Sequence, residues 1–160
     1  MKKEINILRL LLIAVVVIIV AMVVVFVLGN EEVNYSELTE VKISKMGTMM
    51  PNGNEYTLTL KDGTWIASHN EIVWLEDNIN KKIVDDVFAN EIKNLLAENK
   101  VQNWDGFNEE NKYITDGEKF AFYMCFSDGT EIEASGYMAY PKTFSLVFKG
   151  FEEHYENLFG

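Results

Sequence analysis

Two histidines are the residues of this chain best suited to proton transfer, and nucleophilic catalysis would need one of them. His69 follows a predicted strand and His154 lies in the last predicted helix. Neither is accompanied by the G-x-S-x-G turn that exposes a nucleophilic serine. Cys125, the single cysteine, is predicted in mid-strand near Glu131, where an acid would disfavour the reactive thiolate. The sequence therefore indicates no catalytic residue.

The loop after Trp104 concentrates the oxygen atoms that Ca²⁺ prefers as ligands. The spacing of these residues does not match an EF-hand, and a solvated acidic loop explains them without any ion. No H-E-x-x-H motif or Cys/His cluster indicates zinc. Calcium is thus the one cofactor to test, and the candidate ligands are Asp105, Asn108, Glu109, Glu110 and Asp116.

The turn "WDGF" offers a second chemistry, because exposed aromatic rings can bind a sugar or a peptide. We favour the alternative, in which Trp104 and Phe107 tuck under the loop as plugs at the sheet edge and Asp105 makes local hydrogen bonds in the turn. Met49 and Met50 lie in a loop with Gly and Pro, and their flexible thioethers suit adaptable contacts. These five residues are the candidate ligand-binding residues.

The composition restricts the partners. The chain of 160 residues has a formal net charge of −11 at pH 7, and the basic residues Lys2, Lys3 and Arg9 lie at its N-terminus. The remainder is therefore more acidic still, and nucleic acid is not an expected partner, because binding to phosphate backbones requires clustered Lys and Arg. Anionic lipids and wall polymers are disfavoured too, unless a divalent cation bridges them.

An apolar run predicts a membrane anchor. Residues 10–28 read "LLLIAVVVIIVAMVVVFVL", without a charged or polar side chain, which is about the ~20 residues that a helix needs to cross a bilayer. A cleaved signal sequence is the alternative, but this run is longer than the usual apolar region of ~7–15 residues and no A-x-A-like site follows it.

The flanking charges predict the orientation of this anchor. Basic residues precede it, whereas Glu31 and Glu32 follow it, and basic flanks remain in the cytoplasm. The predicted organisation is a cytoplasmic stub at 1–9, a transmembrane helix at 10–28, a juxtamembrane linker at 29–39 and an extracytoplasmic domain at 40–160.

Alternating patterns in the outer domain predict strands. A first strand contains Val41 and Ile43, and a hairpin turns at Asp62-Gly63 between two alternating runs. The stretch 70–77 is a further candidate strand. Helical periodicity then predicts a helix from Asn80 to Lys100. Its apolar side would comprise Ile83, Val87, Phe88, Ile92, Leu95 and Leu96.

A second hairpin turns at Asp128-Gly129. A two-residue turn would mix large apolar and acidic side chains on one face. A three-residue loop with a left-handed Gly129 instead pairs Met124 with Ile132, which leaves one apolar face and one wet face. This register directs Phe120, Phe122, Met124, Phe126, Ile132 and Ala134 inward, and places Ala121, Tyr123, Cys125, Glu131, Glu133 and Ser135 on the wet face.

The C-terminal run predicts a last helix. Five apolar residues recur on one side, although Gly150 weakens a helix by roughly 1 kcal/mol relative to Ala. The expected fold is α+β: an antiparallel sheet of four to six strands with two hairpins, covered on one face by one or two helices. The apolar side of the last helix comprises Phe144, Phe148, Phe151, Tyr155 and Leu158.

Three stretches carry a resemblance. "WDGF" at 104–107, "TDGEKFAFYMCFSDGTEIEASGYMAYP" at 115–141 and "ISKMGTMMPNGNEYTLTL" at 43–60 resemble an uncharacterised family of extracytoplasmic lipoproteins and membrane-anchored proteins from Gram-positive bacteria. The lipid-modified cysteine of that group is missing here, and the predicted transmembrane helix would replace it. The resemblance implies a location and a fold, with no activity to carry over.

Together these patterns predict a single-pass protein of the cell envelope, held in membrane lipid by residues 10–28. Its expected role is a non-catalytic binding module for a wall ligand or an envelope protein. The alternatives are an envelope hydrolase, which would need a carboxylate pair or a histidine beside a nucleophile, a calcium-dependent binding protein and a sensor acting through a partner.

Overall fold

A computed structural model describes residues 15–20, 33–48, 52–73 and 76–160. For residues 76 and 77 it describes the backbone, which is part of a strand, and not the side chains. Residues 15–20 are helical and are the only part of the predicted span 10–28 that is described; the rest of the span lies outside the described residues. Within the described ranges no helix is long and apolar enough to cross a membrane. From Asn34 onward, the described residues belong to one compact unit, Asn34–Gly160.

A seven-stranded sheet forms the centre of this unit. The strand order is β4-β3-β2-β1-β6-β7-β5, and every neighbouring pair is antiparallel except β5 and β7, which are parallel. The predicted α+β class with an antiparallel sheet is confirmed, with more strands than expected. The strands are β1 (Leu38–Gly47), β2 (Gly53–Lys61), β3 (Thr64–Val73), β4 (Glu76–Val84), β5 (Asn108–Glu110), β6 (Glu118–Phe126) and β7 (Glu131–Tyr137).

Two helices, α1 (Asp86–Glu98) and α2 (Phe144–Phe159), cover one face of the sheet. Short 3₁₀ turns lie at Tyr35–Glu37 and Val101–Trp104. The inner face of α2 matches the prediction except that Leu158 is only partly buried, and Val147 is buried as well. The Tyr155 hydroxyl donates to the Thr57 carbonyl at 2.7 Å, which ties the helix to β2.

The helix predicted from Asn80 is wrong in its first part. Residues up to Val84 form β4 and pair with β3, and α1 begins only after Asp85, whose carboxylate accepts from the Phe88 N–H at 3.0 Å. Ile83 and Val87, assigned to the apolar side of the helix, are 72% and 64% exposed. Ile83 and Val84 are β-branched and directly precede the N-cap Asp85, so their local preference is for a strand. Their pairing with β3 stabilises that strand.

Both hairpins are confirmed. Asp62 and Gly63 have φ values of 51° and 75°, as in a type I′ turn. In the second hairpin Met124 pairs with Ile132, and Gly129 has φ 84°. The six residues predicted to point inward from this hairpin are all buried.

The folded unit begins earlier than the predicted boundary at residue 40. Leu38 is buried at the start of β1, and the Tyr35 hydroxyl donates to Gln102 Oε1 at 2.7 Å. The second half of the segment 29–39, which was predicted as a linker, therefore packs against the domain.

Candidate functional site

The face of the sheet opposite the helices carries a row of small residues. Ser44 on β1 pairs with Ala121 on β6, and Ala121 pairs with Ser135 on β7. Because side chains alternate along a strand, these three share the face that the helices leave open. Ala121 and Ser135 form the floor of a trough, whereas Ser44 is only 2% exposed and does not line it.

Larger residues stand on both sides of this floor. Neighbours two positions along each strand lie in rows that run parallel to the small row, and these rows form the walls of the trough. One wall comprises Lys42, Tyr123 and Glu133, and the other comprises Met46, Lys119 and Tyr137.

Strand β5 closes one end of the trough. Asn108 pairs with Ser135, whose hydroxyl donates to Asn108 Oδ1 at 3.3 Å. Two adjacent cavities, of about 510 and 380 Å³, share Asn108, Ala121 and Ser135 in their linings. The trough is thus shallow and elongated, a shape that fits an extended ligand better than a compact one.

The loop before β5 is held rigidly against β7. The Gly106 N–H donates to the Glu133 carbonyl at 2.9 Å, and the Ser135 N–H donates to the Phe107 carbonyl at 2.8 Å. Asp105 Oδ1 accepts from the Glu133 N–H at 3.3 Å. Gly106 has φ 72°, a left-handed conformation that favours glycine. The site is therefore formed before any ligand arrives.

The candidate ligand-binding residues separate in the structure. Trp104 is 3% exposed, and its indole nitrogen donates to Thr143 Oγ1 at 3.2 Å, so it supports the loop from inside. Phe107 is half-buried and borders the larger cavity, and its ring centroid lies 6.0 Å from that of Phe120, which points to the helix-covered face. Asp105 is exposed and bonds across to β7 rather than locally. Met49 and Met50 lie outside the described residues.

The walls of the trough carry both charges. Lys42 Nζ lies 2.9 Å from Glu55 Oε2, and Glu133 on the same wall is exposed. The Tyr123 hydroxyl donates to Glu131 Oε1 at 2.8 Å, and this hydrogen bond raises the pKa of Tyr123. The hydroxyl therefore stays protonated at neutral pH, as a hydrogen-bonding group rather than a base.

The candidate calcium ligands do not converge on one point. Asp105 bonds to β7, Asn108 accepts from Ser135, and Asp116 lies in the turn before β6. Glu109 and Glu110 are successive residues of β5, whose side chains alternate between faces. In the described part of the chain, no three His, Cys, Asp or Glu residues could hold a metal ion together. Calcium-dependent ligand binding stays a prediction.

The histidines lie in structural surroundings. His69 stacks on Tyr56 with ring centroids 4.8 Å apart, its Nε2 lies 2.9 Å from Asn54 Oδ1, and burial lowers its pKa. His154 Nδ1 lies 3.4 Å from Glu91 Oε2. Across the ranges given above, neither histidine shares a hydrogen bond with Ser or Cys. The contacts of His69 are thus with Tyr56 and Asn54, and that of His154 is with Glu91.

Sequence reasoning placed Ala121 and Ser135 on the wet face but did not identify them as a site. The signal was available, because the predicted register sets these small residues directly opposite each other between larger neighbours. Strand β5 was missed, because a three-residue strand among turn formers has no periodicity. Lys42 was missed as a wall residue, because the pairing of β1 with β6 was not predicted. Among the residues that the structure describes, Tyr113 in the loop after β5 is the most exposed aromatic residue, at 98%.

No protein-family model matches this chain, and no curated protein sequence is significantly similar to it. The resemblance to the Gram-positive envelope family therefore stays a hypothesis, and function is argued from the geometry of the trough.

Proposed function

We propose that this protein is a membrane-anchored binding module of the bacterial cell envelope and that the trough beside Phe107 binds an extended wall ligand without catalysis. The observation that carries the proposal is the row of small residues, Ala121 and Ser135, enclosed between two rows of larger ones and closed by a preformed loop. A preformed concave surface with a few polar groups is typical of binding sites.

The lining of the trough suits an uncharged or zwitterionic ligand. Lys42 and Glu133 supply opposite charges, and Ser135 and Asn108 supply hydroxyl and amide groups. The net charge of −11 opposes anionic polymers. A sugar–peptide fragment of the cell wall has the matching chemistry.

The anchor in this proposal rests on the apolar run 10–28 and its flanking charges. Full-length protein expressed in a Gram-positive host should remain with membranes after carbonate washing and dissolve only in detergent. Protease added outside the cell should digest the domain. Release by carbonate, or protection from outside protease, would contradict the anchored arrangement.

Binding can be tested by sedimenting the detergent-solubilised full chain with purified insoluble wall. Ala121→Trp fills the trough at an exposed position, so it should abolish co-sedimentation. Thr59→Trp is the matched control, because Thr59 lies on the same open face of β2 but outside both cavities. Equal binding by wild type and Ala121→Trp would refute the site.

A further inference from the structure

Strand β4 forms one edge of the sheet. It pairs with β3 on its inner side, and in the part of the chain that the structure describes no strand pairs with its outer side. Ile79, the fourth residue of β4, is 52% exposed and Ile83 is 72% exposed. A free edge with apolar side chains can accept another strand through its backbone N–H and C=O groups.

The sequence of this edge is complementary to itself. Residues 76–82 read "EDNINKK": two acids, Asn, Ile, Asn and two lysines. Read in the opposite direction, each acid meets a lysine and each Asn meets an Asn. The segment is neutral overall, within a chain whose net charge is −11. Exposed lysines protect many edge strands from aggregation. Such protection would not explain why two acids precede Ile79 at the same distances at which two lysines follow it.

From this pattern we infer that β4 pairs antiparallel with β4 of a second copy, about a two-fold axis at Ile79. This register sets the Lys81 position opposite the partner's Asp77 and the Lys82 position opposite the partner's Glu76, and symmetry repeats each pair. Opposite charges at facing positions of an antiparallel pair are stabilising, and like charges are destabilising. The two sheets become one continuous sheet of two copies.

The dimer leaves the trough open. The trough lies across β1, β6 and β7 and is closed by β5, whereas β4 is at the opposite edge of the sheet. A dimer of this kind presents two troughs to a repetitive polymer, and the two sites would bind it with avidity.

Charge exchange on the edge tests the pairing in the detergent-solubilised full chain, with mass measured by light scattering after gel filtration. Lys81→Asp with Lys82→Glu makes the edge wholly acidic, and Glu76→Lys with Asp77→Lys makes it wholly basic. Each variant alone should dimerise at least roughly tenfold more weakly than wild type, because every facing charge becomes repulsive. A mixture of the two variants should form a heterodimer, since every facing pair is again complementary.

The control is Lys112→Glu with Lys142→Glu, which changes the net charge as the acidic edge does but at exposed positions away from β4. It should dimerise like wild type. Recovery of the dimer in the mixture also shows that the variants fold. A monomeric wild type, a dimer that persists in both edge variants, or a mixture that stays monomeric would overturn the inference.

A cross-link tests the register separately. Facing residues of antiparallel strands have Cα atoms about 4.5–5.5 Å apart, within the range that a disulfide spans. Ile79→Cys in a Cys125→Ser background should therefore form a disulfide-linked dimer on mild oxidation. Tyr113→Cys in the same background, at a position that is more exposed but in a distant loop, should not. Equal cross-linking of the two variants would contradict pairing at Ile79.

Discussion

The indole nitrogen of Trp104 donates to Thr143 Oγ1 at 3.2 Å, and the same hydroxyl donates to the Asn99 carbonyl at 3.1 Å. One threonine thus connects the loop beside the trough to the start of α2 and the end of α1. Because Trp104 lies beneath the loop that positions Phe107, this relay couples the helical layer to the open face of the sheet.

Trp104→Ala should destabilise the domain by about 3–5 kcal/mol, as expected for removing a buried indole. Phe107→Ala should cost less, because this ring is only half-buried, but by loosening the loop at the end of the trough it should weaken wall binding. Urea unfolding followed by circular dichroism measures the first effect, and co-sedimentation measures the second. A Trp104→Ala protein as stable as wild type would show that the indole does not support the loop.

Gly136→Ala should disturb both stability and the site. A Cβ atom there would collide with the Ala139 carbonyl and lie 2.7 Å from Phe120 Cε1. Overpacking of this kind costs typically about 1–3 kcal/mol, and a backbone shift of β7 would also displace β5. Urea unfolding and co-sedimentation should both report a loss. Unchanged stability would mean that the strand edge relaxes freely.

Gly150 lies in the middle of α2, where Ala would normally stabilise a helix by roughly 1 kcal/mol. Here a Cβ would lie 2.6 Å from Leu95 Cδ2 on α1, so Gly150→Ala should bring no such gain. In a Leu95→Ala background the same change should become stabilising. A double-mutant cycle from urea unfolding measures this coupling, and strict additivity of the two changes would contradict the contact.

Burial lowers the pKa of His69 below that of an unfolded chain, about 6.5, and Glu71 opposes the shift only in part. The folded state therefore resists protonation of this ring, so stability should fall as the pH drops from about 6.5 toward the folded pKa. The melting temperature of wild type should decrease relative to His69→Gln between pH 8 and pH 5.5. A constant difference between the two proteins would exclude this linkage.

Local sequence patterns were sufficient to predict strand register where one face of a strand is buried and the other is exposed to solvent. In the second hairpin, Met124 and Ile132 can be buried together in only one register, so the loop length followed from the sequence. The same logic failed at β4, because Ile79 and Ile83 are exposed and their spacing was consistent with a helix. An edge strand with apolar residues toward solvent has no pattern that marks it.

The trough could be predicted only in part. Placing Ala121 and Ser135 on one face needed the register alone, but bringing Lys42 to them needed β1 to pair with β6 across the long sequence between them. Long-range strand order is set by the packing of the whole sheet. The burial of Trp104 likewise depends on Thr143, a contact between distant parts of the chain.

The central claim, that the trough binds wall material, is tested most directly by thermal melting of the detergent-solubilised full chain with soluble wall fragments, in EDTA and again in millimolar calcium. A ligand that binds only the folded state raises the melting temperature by mass action. The account predicts an upward shift for wild type and for Thr59→Trp, already present in EDTA, and none for Ala121→Trp. No shift for wild type, or an equal shift for Ala121→Trp, would contradict it.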